Sequence, residues 1–284
     1  MGGVTNHPRS FGVHSIAWAR KRRLPHRRCS HYNRFLPNST KPVHVVLVSP
    51  RNPLNIGAAA RAMANFGFDQ LTVVAPYTPH WREARSAVGA PDVLQNATES
   101  ASIADAVADC TLVIGTGTLT HRKAEQKVVE LPALAPLVQD EFARGGRIAL
   151  IFGPEKHGLT REDLSWCHLL VEIPTDAHQP SMNLGQAVAV CLYELASRAF
   201  SAPPAAPAEP LPPAARSGNL DLLAKVIEES MEGAGYSPRS MQDANRHDLR
   251  LLLRRLAPNE RDTRRILGLF RRILWRLRNH PKMT

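Results

Sequence analysis

The chain has 284 residues, 43% of them hydrophobic, enough for one domain of ordinary size with appendages and a proper core. No apolar run approaches the ~18 residues that a membrane span needs, so no membrane partner is expected. The net charge of +11 is unevenly placed: residues 1–42 carry nine Lys/Arg and no acid, residues 246–284 carry twelve against three, and the stretch between is net negative. An acidic body with basic ends suits a polyanion held by appendages, and chance asymmetry of a soluble surface is the plainer alternative.

Residues 1–42 show little apolar periodicity and contain the run ARKRRLPHRRC, without the apolar stretch of a secretory signal. The composition fits an organellar transit segment, an RNA-binding arm or an upstream start equally well, and a tail without fixed structure is expected. The four cysteines, Cys29, Cys110, Cys167 and Cys191, form no CxxC pair, which argues against a disulfide framework or a zinc site. Buried thiols in a reducing, cytoplasmic compartment are the expectation, Cys110 and Cys191 sitting in apolar contexts. His44, His121, His157 and His178 share no ligand spacing and read as loop or surface histidines, so no metal is expected.

The body opens with VHVVLV (Val43 to Val48), a β-branched run expected as a strand buried on both faces. Asn55 then stands where an N-cap belongs, ahead of the alanine-rich IGAAARAMANF, with Gly67 as the C-terminal stop. Further strands are expected over Leu71 to Ala75, Thr111 to Gly115, Arg147 to Phe152 and His168 to Ile173. Trp81 to Val88 reads as helical, Asp92 to Ala97 is ambiguous, and Ile103 to Val107 is a short helix. Glu130 to Arg144 is mixed, with Pro132 and Pro136 expected to break any long helix. A closing apolar helix is expected over Met182 to Ala199. Strands alternating with helices predict an α/β fold with a parallel sheet over residues 43–199.

Residues 200–217 form a Pro/Ala-rich linker. Beyond it, residues 218–284 predict three helices: Leu220 to Met231, Asp243 to Leu256, and one begun by Pro258. In the second, Leu249, Leu252, Leu253 and Leu256 are expected to face inward and Arg250 and Arg254 to face solvent. These basic helices would hold the polyanion, and the body's own site would be largely independent of them.

Three ordered motifs stand out: Asn55, Gly57 and Arg61 in NIGAAAR; Gly153 to Leu159 in GPEKHGL; and Ile173–Pro174 followed by Ser181, Asn183 and Leu184. GPEKHGL alone is a weak glycine loop, compatible with an ordinary strand-to-helix turn. In this order and spacing the motifs resemble the SpoU/TrmH branch of the SPOUT RNA methyltransferases. The resemblance implies a deep trefoil knot in the C-terminal part of the sheet, a rare exception to unthreaded chains. It implies a homodimer, and S-adenosyl-L-methionine as cofactor, with loops Gly115–Thr118, Gly153–Gly158 and Ile173–Met182 around it.

The residue roles implied by the resemblance are donor binding for Gly115, Thr116, Gly117, Gly153, Glu155, Gly158, Ile173 and Met182, and catalysis for Arg61, Asn55, Ser181 and Asn183. Glu155 either anchors a loop or meets the donor's positive end. Asn55, Ser181 and Asn183 are helix caps as readily as substrate contacts. Arg61 is either a base or a clamp on the substrate phosphate, and its permanent charge favours the clamp. The tail further resembles the extension of a family member that 2′-O-methylates the tRNA anticodon loop, which implies a pyrimidine at nucleotide 32 as target. Ribosomal RNA as substrate, or non-catalytic RNA binding on the same fold, are the alternatives. A dinucleotide oxidoreductase fares badly, because no GxGxxG joins the first strand and helix.

Overall fold

The computed structural model describes residues 1–3, 42–84, 87, 89–118, 124–200, 212–236 and 239–279. Residues 4–41 of the expected N-terminal tail, with Cys29, and His121 and most of the Pro/Ala linker lie outside these residues. Seven parallel strands form one sheet: β1 (Val43–Val48), β2 (Gln70–Val74), β3 (Thr98–Ser100), β4 (Leu112–Thr116), β5 (Lys127–Glu130), β6 (Ile148–Phe152) and β7 (Leu169–Glu172), in the order β3-β2-β1-β6-β4-β7-β5. Central β1 and β6 are almost wholly buried, as their unbroken β-branched and aliphatic runs require.

The sequence reading missed β3 and β5. They are the two edge strands, short and largely exposed. Polar side chains blunt such edges, and they also erase the apolar pattern by which a strand is read.

Helix α1 (Pro53–Phe66) follows β1, then α2 (Pro91–Gln95), α3 (Ile103–Val107), α4 (Leu134–Ala143), α5 (Arg161–Leu164) and α6 (Leu184–Glu194), which continues as a π-helical turn, Leu195–Ala199. The N-cap of α1 is Asn52, not Asn55: the Asn52 side chain accepts from the amide of Leu54, and Pro53 takes the first helical position. Gly67, at φ 73°, ends the helix as expected. Of the helix expected over Trp81 to Val88, Trp81–Glu83 is a 3-10 turn followed by extended Ala84, and positions 85, 86 and 88 lie outside the described residues. Pro132 opens the 3-10 turn Leu131–Ala133 and Pro136 lies in the first turn of α4, where neither removes a needed donor, so these prolines start helices instead of breaking them.

His44 is no surface histidine. It lies on β1 with Nε2 hydrogen-bonded to Thr72 Oγ1 at 2.6 Å, and burial, helped by Arg147, lowers its pKa to about 4. Cys110 and Cys191 are buried as expected, with Cys167, and burial pushes all three thiols up to about 12.

Three C-terminal helices follow: α7 (Ser217–Gly233), α8 (Gln242–Leu256) and α9 (Glu260–Asn279). They reach the body at several points, including the amide of Ser217 donating to Cys110 O and that of Gly218 to Ala108 O. The expected orientation of α8 holds for Leu253, which is buried, and in part for half-buried Leu249, but it is reversed at four other positions. Arg250 and Arg254 are buried, with side chains 9% and 0% exposed, while Leu252 and Leu256 are 42% and 65% exposed. Burial of two guanidiniums holds because each is paired: Arg254 donates to Asp221 and to the carbonyl of Trp166, and Arg250 donates to Glu162 and Ser165.

Candidate functional site

The carboxyl ends of β4, β6 and β7 open into one cavity of about 250 Å³. In open α/β sheets this is where converging loops place ligands. Thr116, Gly117 and Thr118 line it from β4; Gly153 to Leu159 from β6; Ile173, Thr175 and Pro180 to Met182 from the loop after β7. The three loops named from the sequence therefore meet. Thr118 Oγ1 donates to Pro180 O at 2.9 Å and Thr175 Oγ1 to the same carbonyl at 3.2 Å, closing the third loop onto the first. The Thr116 hydroxyl is already engaged, donating to Ile151 O at 2.9 Å.

Two glycines are required by geometry. A methyl group on Gly153 would fall 2.2 Å from the backbone nitrogen of Leu159, and Gly158 sits at φ +63°. Gly115 belongs to the site only indirectly. It lies beneath the cavity lining, and a methyl there would meet Cys167 Sγ at 2.8 Å, so packing accounts for it.

Glu155 lines the cavity, but its carboxylate is taken up by the start of α1 and the loop before it. Its Oε1 accepts from the Asn52 amide at 3.1 Å and from Asn55 Nδ2 at 2.8 Å, and its Oε2 accepts from the Arg51 amide at 3.0 Å. Burial opposes its charge, but these bonds outweigh it and hold the carboxyl below the usual range. Of the two roles left open for Glu155, the geometry is that of a loop anchor. Asn55 passes the connection on, its Oδ1 accepting from Asn183 Nδ2 at 2.9 Å. Asn183 in turn caps α6, its Oδ1 accepting from the Gly185 amide at 2.9 Å. At Gly185 a methyl would fall 2.6 Å from the Ala58 Cβ, so α6 seats directly on α1.

Ser181 and Met182 line the cavity, and Asn55 and Asn183 stand beside it. Arg61 does not line it. It is exposed on α1, sharing one stripe with Leu54 and Asn65. The sequence reading missed Asn52, whose position between Pro50 and Pro53 was the available signal, and His157, which lines the cavity mouth.

The SpoU rRNA Methylase family model matches residues 42–193, more than half of the chain. A Pseudomonas aeruginosa protein named tRNA (cytidine/uridine/adenosine-2'-O-)-methyltransferase TrmJ is 38% identical over 154 residues, 54% of this chain and 60% of that relative. The chain thus matches about three fifths of the length of that relative. A Cronobacter sakazakii protein named tRNA (cytidine/uridine-2'-O-)-methyltransferase TrmJ is 30% identical over 237 residues, 80% of this chain and 94% of the relative. The crystal structure of TrmJ from Z. mobilis ZM4 superposes with a TM-score of 0.70 at 29% identity, covering 81% of this chain and 98% of that one. With the three motif loops gathered at one cavity and a family match over the whole sheet, the chain belongs to the SpoU rRNA methylase family.

Proposed function

We propose that this chain is an S-adenosylmethionine-dependent RNA ribose 2′-O-methyltransferase acting on tRNA. The observation that carries the reading is the convergence of three loops on one cavity beside the Asn183–Asn55–Glu155 chain. The names of the relatives support tRNA over ribosomal RNA.

The residues present fit the donor. Phe152, Leu159, Ile173, Met182 and Leu184 give apolar walls, and Gly117, Gly153 and Gly158 let a nucleoside approach the backbone closely. S-adenosylmethionine supplies an activated methyl group. The chain excludes water, holds the sugar and stabilises charge on its oxygen. Ser181 and Asn183 take the ribose side of the cavity. Arg61 clamps the neighbouring phosphate and stabilises the developing alkoxide.

The reading has four further parts: a trefoil knot in the C-terminal part of the sheet, supported by family membership; residues 218–284 as a basic RNA-binding extension, supported by the exposed arginines of α9; a pyrimidine at nucleotide 32 as target; and a cytoplasmic homodimer. The dimer is supported by the exposed stripe of Leu54, Arg61 and Asn65 on the same side of the fold as the exposed Tyr193, whose ring meets that of Phe66 on α1. Through such a surface Arg61 would serve the cavity of a second copy. Among the described residues no helix is long and apolar enough to cross a membrane.

The test is transfer of a labelled methyl group from S-adenosylmethionine to unmodified tRNA, followed by mapping of the 2′-O-methyl position. Failure of the protein to bind donor or product calorimetrically, with RNA present or absent, overturns the reading.

A further inference from the structure

Arg250 and Arg254 are the arginines of α8 that RNA cannot reach, and they grip the body instead. The Arg250 guanidinium lies 3.8 Å from the centroid of the Trp166 ring, and that of Arg254 lies 5.3 Å from it. Arg250 Nη1 donates to Ser165 Oγ at 2.7 Å and to Glu162 Oε1; Arg254 Nε donates to Trp166 O at 2.9 Å. Behind them Arg254 Nη2 ties to Asp221 on α7, so α7 and α8 grip together. Burial works against the charge of Glu162, but Arg250, with His247, holds its carboxyl below the ordinary range.

The gripped segment, residues 162–166, is the common footing of the cavity. Upstream it overlaps the capping box of Thr160 and Asp163, directly beyond Leu159, whose backbone closes on Gly153. Beneath the first loop, Leu164 and Cys167 pack under Gly115. Downstream the His168 amide donates to Val113 O at 2.8 Å, Val113 N returns a bond to His168 Nδ1 at 3.1 Å, and β7 runs on to Ile173. A shift of this segment therefore displaces all three cavity loops.

We propose that Arg250, stacked on Trp166, is a positioning residue for the donor pocket, so that the C-terminal helices set donor affinity as well as any hold on RNA. The inference rests on the reading of the cavity as a donor site. It replaces the expectation that donor binding is independent of those helices.

The test is calorimetric titration of the full-length chain with S-adenosylhomocysteine, for the unaltered protein, Arg250→Gln, Arg250→Lys and Trp166→Phe. Arg250→Gln should weaken binding about fivefold to tenfold, less than one full charge-assisted hydrogen bond contributes, because Arg250 acts on the pocket only through residues 162–166. Arg250→Lys, which keeps a cation over the ring and a donor to Glu162, should restore binding to within about twofold. The Michaelis constant for donor should rise in Arg250→Gln, with that for tRNA unchanged. Unaltered affinity in Arg250→Gln, or a lysine variant as weak as the glutamine one, overturns the proposal. If Arg250→Gln does not give a cooperative melt, tryptophan emission of the unaltered protein decides: product binding must change the component that Trp166→Phe removes, and no change there overturns it. No heat with the unaltered protein would instead sink the donor-site reading itself.

Discussion

Asn183 donates its side-chain amide to Asn55 at 2.9 Å, across 128 positions of sequence. With Glu155 accepting from Asn55, one residue from each of the three motifs joins a single polar chain at the cavity mouth. The two end members have a second role, since Asn183 caps α6 and Glu155 accepts two amides of the loop after β1. Substitutions here should therefore couple stability to catalysis.

Replacing Asn183 by alanine removes a helix cap and one of the two side-chain bonds of Asn55. A loss of about 1 kcal/mol is expected from the cap, read as a lowered thermal midpoint. Methyl transfer should fall by a larger factor than this stability change accounts for, because Asn55 is then held by Glu155 alone. A variant with full turnover and an ordinary melt would remove Asn183 from the site.

Glu155→Gln keeps the shape but withdraws the charge that three N–H groups share. Hydrogen bonds to a charged acceptor contribute about 1.5–3 kcal/mol, so the loop should loosen and product affinity should drop measurably by calorimetry. The pH dependence follows from the depressed carboxyl. Its contribution is complete above the ordinary glutamate range and is lost as pH falls through the folded-state value, and the glutamine variant should lack that part of the acid profile.

Gly153 and Gly117 both line the cavity but should respond differently to an added methyl. Gly153→Ala drives Cβ into the Leu159 backbone, so loss of product binding and a fall in melting temperature are expected. Gly117→Ala meets nothing within 4 Å and should melt as the unaltered protein does. Equal melting of the two variants would contradict the loop geometry.

His44 gives an acid-sensitive contribution to folding. Its pKa falls from 6.5 to about 4 on folding, so the unfolded chain binds the proton more tightly. Stability is complete above pH 6.5 and declines as pH falls through 4, by at most about 3.4 kcal/mol at 1.36 kcal/mol per pKa unit. His44→Gln can retain the bond to Thr72 and should flatten this slope in denaturant titrations run across the window.

Arg61→Ala should abolish methyl transfer while leaving product affinity intact, since Arg61 stands outside the cavity lining. On α9, replacing the exposed Arg265 and Arg271 by glutamine should weaken tRNA binding. It should also reduce the slope of log affinity against log salt by about 0.7–0.9 for each phosphate that is no longer neutralised. An unchanged slope would take α9 out of the RNA interface.

The five buried strands were legible because Val43–Val48, Ile148–Phe152 and their neighbours are apolar on both faces, a pattern that only a covered sheet tolerates. The loops were legible because glycine and small polar residues cluster where those strands end. The edge strands β3 and β5 carry no such pattern, since one of their sides meets water. The cap at Asn52 was obscured by the equally plausible Asn55 three residues on.

The sequence by itself determined that α8 is two-faced, with leucines and arginines at helical spacing. Only the tertiary structure decided which face turns inward. A buried leucine needs any apolar neighbour, whereas a buried guanidinium needs a ring to stack on and acceptors at fixed distances. Trp166, Glu162 and Asp221 supply these from 33 to 88 positions away, and no local pattern in the chain can announce that they will be there.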